Sequence, residues 1–351
     1  MTSPRDNSTR LASARIALLF CVFFLIACGL GYPVLNRYDP RQTPGLSDVK
    51  EYAALVTDAA VVDAGHVRFR VLLPWIARPF YRLARGRFAT WDPVMFGLLV
   101  SDSLFIAGTA VLIVMLGGIL ARRGIGNSST GLVAALLYLL NFAVPNLRLA
   151  GLVDAGEGFF LLAMIWSLSE FELWLLPIIG VFGALAKESF IPFSIVFAAA
   201  WWLTVRRDHN RDHNDDSHFR RHLLSDAAWI VISWALSLAT MIVLQWAIRG
   251  RFESPLQFGF ALHRGGDYAR HFVSSLLDRN FWYVFVWLLP TAIPNLKRLP
   301  KSWLNPIAAT CALAFVLDGY FGGAPGTVGR ALFSVAAPVL SLSSALFLLG
   351  I

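Results

Sequence analysis

A succession of strongly apolar stretches runs from residue 15 to residue 350, and each is close to the length of a membrane-spanning helix. A helix needs about 20 mainly apolar residues to cross the hydrocarbon core of a bilayer. Between these stretches, no segment is both long enough and polar enough to form a soluble domain. The sequence therefore predicts an all-α fold: a polytopic transmembrane helical bundle in which residues 1–351 form a single membrane domain.

The composition agrees with a membrane protein. Hydrophobic residues make up 57% of the chain and charged residues 15%, whereas soluble domains average about 45–50% and about 25%. The net charge of +8 does not indicate nucleic acid as a partner, because the basic residues flank the apolar stretches, as the positive-inside rule describes. The cysteines lie inside apolar stretches, which excludes a disulfide framework and a cysteine metal cluster; they are Cys21, Cys28 and Cys311.

The basic residues also predict the topology. Arg5, Arg10 and Arg15 precede the first stretch, so we expect a cytoplasmic N-terminus and a multi-pass protein of the cell membrane, with the lipid bilayer as its surroundings. The sequence predicts about ten spans: 15–35, 93–120, 129–147, 154–169, two within 173–205, 226–248, 281–296, 303–319 and 331–350.

The count depends on residues 173–205. As one helix they would be about 50 Å long, which is too long for a core of about 30 Å. Division near Lys187 and Glu188 gives two short spans and keeps the basic stretch 206–225 on the cytoplasmic side. We predict a flexible polar loop there, whose histidines are solvated rather than metal ligands; they are His209, His213, His218 and His222.

The first extracytoplasmic loop, residues 36–92, is long and highly charged. Residues 47–60 predict a short helix capped by Ser47 or Asp48. Residues 66–85 predict amphipathic helices at the membrane interface, with three arginines on one face: Arg78, Arg82 and Arg85. These arginines either extend towards lipid phosphates or bind a phosphorylated lipid substrate, and the sequence leaves both readings open.

Several ionisable residues fall within or beside the predicted spans, where charge is costly and often functional. Asp102 lies inside the second span, Asp154 and Glu157 open the fourth, and Arg330 begins the last. Each of these residues can also be explained without a function, as the start of a helix, part of a local ion pair or an anchor at the membrane interface.

The predicted topology brings Asp48, Asp154, Glu188 and Arg330 to one membrane face. There a carboxylate can act as general base on a hydroxyl. Arginines or a divalent metal can stabilise a departing phosphate.

These features resemble the GT-C superfamily of membrane glycosyltransferases. The resemblance lies in Asp48-x-x-x-Tyr52 and in the string from His66 to Pro74, HVRFRVLLP. It continues in the acid that opens a later span, in Lys187-Glu188 and in the arginine of the last span. It implies transfer of a sugar from a polyprenyl-phosphate donor, a lipid-linked partner, to an acceptor outside the cytoplasm.

The resemblance also implies the site residues. The catalytic acid is Asp48 or, less well by position, Asp39. The implied substrate-binding residues are Tyr52, His66, Arg68, Arg70, Asp154, Glu157, Lys187, Glu188 and Arg330. The paired acids Asp-x-Asp that are usual in the superfamily are absent, since Val-Lys follows Asp48 and Pro-Arg follows Asp39. No metal ligands are assigned, and use of a divalent metal (Mg or Mn) is left open.

Two other functions stay open at this point. A transporter or flippase would use acids within the spans, such as Asp102 and Glu188, as a proton or substrate path. A membrane subunit without catalytic activity would hold together a cell-envelope complex.

Overall fold

The structure, a computed structural model, describes residues 4–36, 47–59, 67–88, 91–212, 217–251, 273–274, 277, 282, 285–321 and 327–351. Within these residues all regular secondary structure is helical and no strand is present. The predicted all-α class is therefore confirmed. Asp39, His66 and the side chains of all four histidines in the 206–225 stretch lie outside this description.

Twelve α-helices lie in the described part of the chain. They are α1 Pro4–Asn36, α2 Ser47–Thr57, α3 Leu72–Ala84, α4 Pro93–Arg122, α5 Thr130–Leu139, α6 Asp154–Glu170, α7 Leu176–Ala186, α8 Phe190–Asp212, α9 Ser217–Arg249, α10 Leu288–Ala292, α11 Lys301–Phe321 and α12 Thr327–Leu348. Short 3₁₀ turns occupy Val67–Phe69, Leu173–Leu175 and Ile293–Arg298, and a π turn occupies Val144–Arg148.

Among the described residues, four helices are long and apolar enough to cross a membrane: Ser13–Asn36, Pro93–Arg122, Ser225–Arg249 and Val328–Leu348. Three shorter apolar helices accompany them: Thr130–Leu139, Leu173–Ala186 and Lys301–Leu317. Large apolar side chains such as Leu25, Val243 and Trp246 are exposed on the long helices, a surface compatible with lipid contact. Membrane-type helices are thus present, while the count of ten spans is not confirmed.

Among the four long helices, only α12 has a larger buried share than α4. Helix α4 packs against α1, α3, α5 and α6. The Asp92 side chain caps its start by accepting a hydrogen bond from Val94 N at 2.8 Å. Glycines allow close contact: a Cβ on Gly117 would lie 2.3 Å from Cα of Gly131 in α5. Close approach of small residues is the usual way in which apolar helices associate.

The region 173–205 forms two principal helices, α7 and α8, divided at residues 187–189 where the sequence predicts the division. Lys187 has extended backbone geometry, with φ −164° and ψ 139°. The eleven residues of α7 give a helix of about 16 Å. The division places Lys187 and Glu188 between two helix ends.

The structure differs from the sequence prediction at 206–225. Helix α8 continues to Asp212 and α9 begins at Ser217, so most of the predicted loop has helical backbone. Polar residues can extend an apolar helix into water, and the Arg206 guanidinium lies 5.2 Å from the Trp202 ring centre of the preceding turn.

A second difference concerns 129–147, where one span is predicted. Helix α5 ends at Leu139, and a π turn follows it. The Asn141 side chain accepts a hydrogen bond from Ala143 N at 2.9 Å, and Pro145 has no N–H to donate. Both features stop an α-helix. In the described part of 281–296, α10 likewise spans only Leu288–Ala292.

Candidate functional site

Several helix ends that are distant in sequence meet at one place in the fold. The π turn at Val144–Arg148, the start of α6, the break between α7 and α8, and the start of α12 bring together five charged residues, called the buried cluster: Arg148, Asp154, Glu157, Lys187 and Arg330. A second group, called the loop cluster, lies beside it. It consists of Asp48 and Tyr52 of α2, Arg70 just after the 67–69 turn, and Glu188. Lys187 and Glu188 are chain neighbours, so the two clusters are joined at the break between α7 and α8.

Two fully buried carboxylates form the centre of the buried cluster. Lys187 Nζ lies 2.7 Å from Asp154 Oδ1 and 3.1 Å from Glu157 Oε2. The other Asp154 oxygen accepts a hydrogen bond from Arg330 Nη2, and the other Glu157 oxygen accepts one from Ser189 Oγ. Every oxygen of the two carboxylates therefore has a donor, which is the condition for keeping buried charge.

The local sequence explains why the acids lie there. Asp154 and Glu157 occupy the first turn of α6, where the positive end of the helix dipole favours negative charge. Lys187 follows the last residue of α7, Ala186, at the opposite, negative end of a helix dipole. Both helix ends thus support the ion pairs between these three side chains.

Arg148 is a component of the buried cluster that the sequence reasoning missed. Its side chain is 1% exposed. Its guanidinium donates to Asp154 O at 2.5 Å, to Arg330 O at 2.7 Å and to Ser334 Oγ at 2.8 Å. It also lies 5.2 Å from the ring centre of Phe333. Arg148 therefore connects the start of α6 to the first turns of α12.

The π turn at Val144–Arg148 carries Arg148 into this position. Its wider bond runs from Leu149 N to Val144 O at 2.9 Å, and turns of this kind are often found at functional sites. The sequence signal for it is weak: an arginine beyond a proline at the end of an apolar run.

Arg70 is the centre of the loop cluster. Its Nε and Nη2 donate to the two carboxylate oxygens of Glu188, at 2.8 and 2.5 Å. Its Nη1 donates to Tyr52 Oη at 2.9 Å and lies 3.6 Å from Asp48 Oδ2. The Asp48 side chain is 32% exposed, which makes it the most exposed acid of the two clusters.

The electrostatics of the loop cluster follow from burial and from Arg70. Burial disfavours the charged form of Arg70, but the Glu188 carboxylate and Tyr52 outweigh it and raise the arginine's pKa. Burial raises the pKa of Tyr52, against the opposing effect of Arg70. Burial and the nearby Asp48 carboxylate raise the pKa of Glu51, and one buried oxygen of Glu51 has no hydrogen-bond partner among the described residues.

Other residues singled out from the sequence lie apart from the clusters. Asp102 is buried in α4, where it accepts a hydrogen bond from Gly151 N at 3.1 Å. Gly151 has φ +75°, a left-handed conformation that favours glycine. This contact holds the chain just before α6. Arg68, predicted to bind substrate, lines a separate cavity described below.

The described residues do not fit a divalent-metal site. They contain no group of three or more His, Cys, Asp or Glu side chains able to hold a metal ion. The oxygens of Asp154, Glu157 and Glu188 are instead occupied by Lys187, Arg330, Ser189 and Arg70. Among the described residues, the two clusters offer carboxylates, guanidinium groups, one ammonium group and the Tyr52 hydroxyl.

The fold and the site define a class: an all-helical protein with membrane-type helices and a buried charged site where helix ends meet. A scan against models of known protein families and a search of curated proteins find no match to this chain.

Proposed function

We propose that this protein is a membrane glycosyltransferase of GT-C type, which moves a sugar from a polyprenyl-phosphate donor to an acceptor hydroxyl on the extracytoplasmic side. The observation that carries the proposal is the position of Arg70. It lies 3.6 Å from Asp48 of the outer loop and is paired with Glu188 at the break between α7 and α8. An accessible acid is thereby held next to a set of buried cations.

The proposed step assigns Asp48 as general base. Its carboxylate takes the proton of the acceptor hydroxyl as the acceptor oxygen forms a bond to the sugar C1. The bond from C1 to the phosphate oxygen breaks, and the polyprenyl phosphate leaves with the electron pair.

Arg330 is the proposed stabiliser of the departing phosphate. Its side chain is 25% exposed, and its buried Nε has no hydrogen-bond partner among the described residues. A guanidinium is suited to phosphate oxygens, and Asp154 and Arg148 hold Arg330 by its side chain and its main-chain carbonyl. Donors fixed in place in this way stabilise developing charge.

The proposal includes the topology predicted from the sequence. About ten spans, a cytoplasmic N-terminus and a cytoplasmic 206–225 segment would place both clusters at the outer face of the cell membrane. The four long apolar helices and the three shorter ones support a multi-pass arrangement.

The experiment that tests the proposal is a comparison of cell-envelope glycolipids and glycans. Cells that lack the protein are complemented with the natural chain or with the Asp48→Ala variant at equal membrane abundance. We expect the variant to leave the product of the transfer missing. A complete glycan profile in cells carrying Asp48→Ala would refute the assignment of Asp48 as base.

Asp102 supports a second candidate, a proton-coupled transporter. One of its carboxylate oxygens is buried in α4 without a partner among the described residues, and such acids are found on proton paths. Uptake of substrate into proteoliposomes without covalent turnover, abolished by Asp102→Asn, would favour this function over glycosyl transfer.

A further inference from the structure

A cavity of about 340 Å³ lies between α2, α3 and the last turns of α9, outside both charged clusters. Its volume falls in the range of sites that bind small molecules. No residue of the buried cluster or the loop cluster lines it. The lining residues are Ala54, Leu55, Asp58, Ala59, Arg68, Val71, Trp75, Arg78 and Ile248.

The lining has an excess of one positive charge, from two arginines and one aspartate. Arg78 is already engaged: its Nη2 donates to Leu55 O at 2.9 Å and lies 2.5 Å from Asp58 Oδ1. Arg68 has no hydrogen-bond or ion-pair partner among the described residues. The cavity therefore offers one unneutralised guanidinium, which is suited to a phosphate group.

The rest of the lining is apolar and lies next to an apolar span. Ile248 belongs to the candidate membrane span Ser225–Arg249, whose Val243 and Trp246 are about two-thirds exposed. Trp75 of α3 is 47% exposed. The Arg249 guanidinium lies 4.9 Å from the ring centre of Phe69, which holds the end of α9 against the 67–69 turn. The cavity thus lies where a lipid-facing helix meets the polar outer loop.

We infer that this cavity binds an anionic phospholipid of the surrounding bilayer. Its phosphate would pair with Arg68, and an acyl chain would lie along Val71, Trp75 and Ile248. Positive charge next to apolar surface at the end of a span is the combination that attracts anionic lipids. This site is distinct from the proposed transfer chemistry, and the bound lipid would hold α3 against α9.

The test uses the purified full-length chain in a neutral detergent, titrated with phosphatidylglycerol while its unfolding temperature is measured. A ligand that binds only the folded state raises this temperature in a saturable manner. We expect saturable stabilisation by phosphatidylglycerol. Phosphatidylcholine with the same acyl chains, glycerol phosphate and polyprenyl phosphate should stabilise less. Equal stabilisation by phosphatidylcholine or by glycerol phosphate, or a preference for polyprenyl phosphate, would overturn the inference.

Variants separate this site from the rest of the molecule. We expect Arg68→Gln to weaken apparent phosphatidylglycerol affinity about tenfold, while Arg68→Lys keeps part of it. Arg87→Gln, at an exposed arginine beyond α3, is the matched control and should bind as the natural chain does. Unchanged binding by Arg68→Gln would also overturn the inference.

The inference does not depend on the proposed transfer. Asp48→Asn should bind phosphatidylglycerol normally, so a failure of the transfer proposal leaves this result unaffected. Loss of phosphatidylglycerol binding in Asp48→Asn would place the lipid in the loop cluster and contradict the assignment to Arg68.

Discussion

Arg70 binds Glu188 through two parallel hydrogen bonds, from Nε to Oε2 at 2.8 Å and from Nη2 to Oε1 at 2.5 Å, across 118 residues of sequence. A bidentate pair of this kind fixes direction as well as distance. It fastens the segment before α3 to the break between α7 and α8. The pair therefore helps to fix the position of Asp48, on α2, relative to the buried cluster.

Breaking this pair should destabilise the protein. The Arg70 side chain is 8% exposed and that of Glu188 is 25% exposed, so removing one partner leaves a poorly solvated charge. We expect Arg70→Met to lower the free energy of unfolding by about 3 kcal/mol, and Arg70→Lys by less, because lysine keeps the charge but loses the fork. Unfolding in detergent measures both effects.

A double-mutant cycle isolates the pair itself. If Arg70 and Glu188 act together, Arg70→Met combined with Glu188→Gln should cost clearly less than the sum of the two single changes. Additive costs would mean that the two side chains contribute independently, contrary to the geometry.

Arg148 should be a second point of sensitivity. Arg148→Met removes three hydrogen bonds and leaves the buried carbonyls of Asp154 and Arg330 without this donor. We expect a loss of about 3 kcal/mol of stability, since each buried polar group left unpaired costs about 1–3 kcal/mol. Arg123→Met, at an exposed arginine after α4, is the control and should change stability little. Equal stability of the two variants would show that Arg148 does not join α6 to α12.

The sequence predicted the all-helical class of this protein and selected several residues that the structure brings together. Hydrophobic blocks predicted an all-helical chain, and the positive-inside rule placed the division within 173–205 near Lys187, where the helix breaks. Asp154, Glu188 and Arg330 were selected because charge within apolar stretches is costly, and Lys187 through the resemblance. The structure brings these four residues into two adjoining clusters. Their functional roles stay predictions.

Other features depend on tertiary contacts that leave little trace in a single sequence. The π turn that aims Arg148 inward depends on Asn141 and Pro145 interrupting an apolar run, which hydropathy alone reads as one span. Arg68, within the 67–69 turn, lines the cavity, whereas Arg70, just after the turn, pairs with Glu188. Two arginines two positions apart were therefore assigned to one site although they line different ones.

Glu51 should give the protein a pH-dependent stability. Its pKa is raised above the usual 4.5 by burial and by Asp48, so the folded state favours the neutral acid. The stability that the neutral form contributes is complete below pH 4.5 and is lost as pH rises through the raised pKa. We expect the unfolding temperature of Glu51→Gln to match that of the natural chain near pH 4 and to exceed it at pH 7. A difference that does not change with pH would contradict this account.

Cysteine labelling tests the proposed topology. After replacement of the native cysteines, a single cysteine at Lys50, an exposed residue of α2, should react with a membrane-impermeant maleimide on intact cells. A single cysteine at Arg123, in the turn after α4, should react only after permeabilisation. Reaction of both residues on intact cells would exclude the proposed ten-span arrangement.

The central claim is that Asp48 acts as the base of a sugar transfer. The most direct test is transfer of a radiolabelled sugar from a panel of polyprenyl-phosphate sugars by the purified protein in liposomes. We predict turnover of at least one donor by the natural chain and a kcat lowered at least about 100-fold by Asp48→Asn. Lys50→Gln, on the same helix, should retain the natural rate. Equal rates for Asp48→Asn and the natural chain, or no turnover of any donor by the natural chain, would contradict the claim.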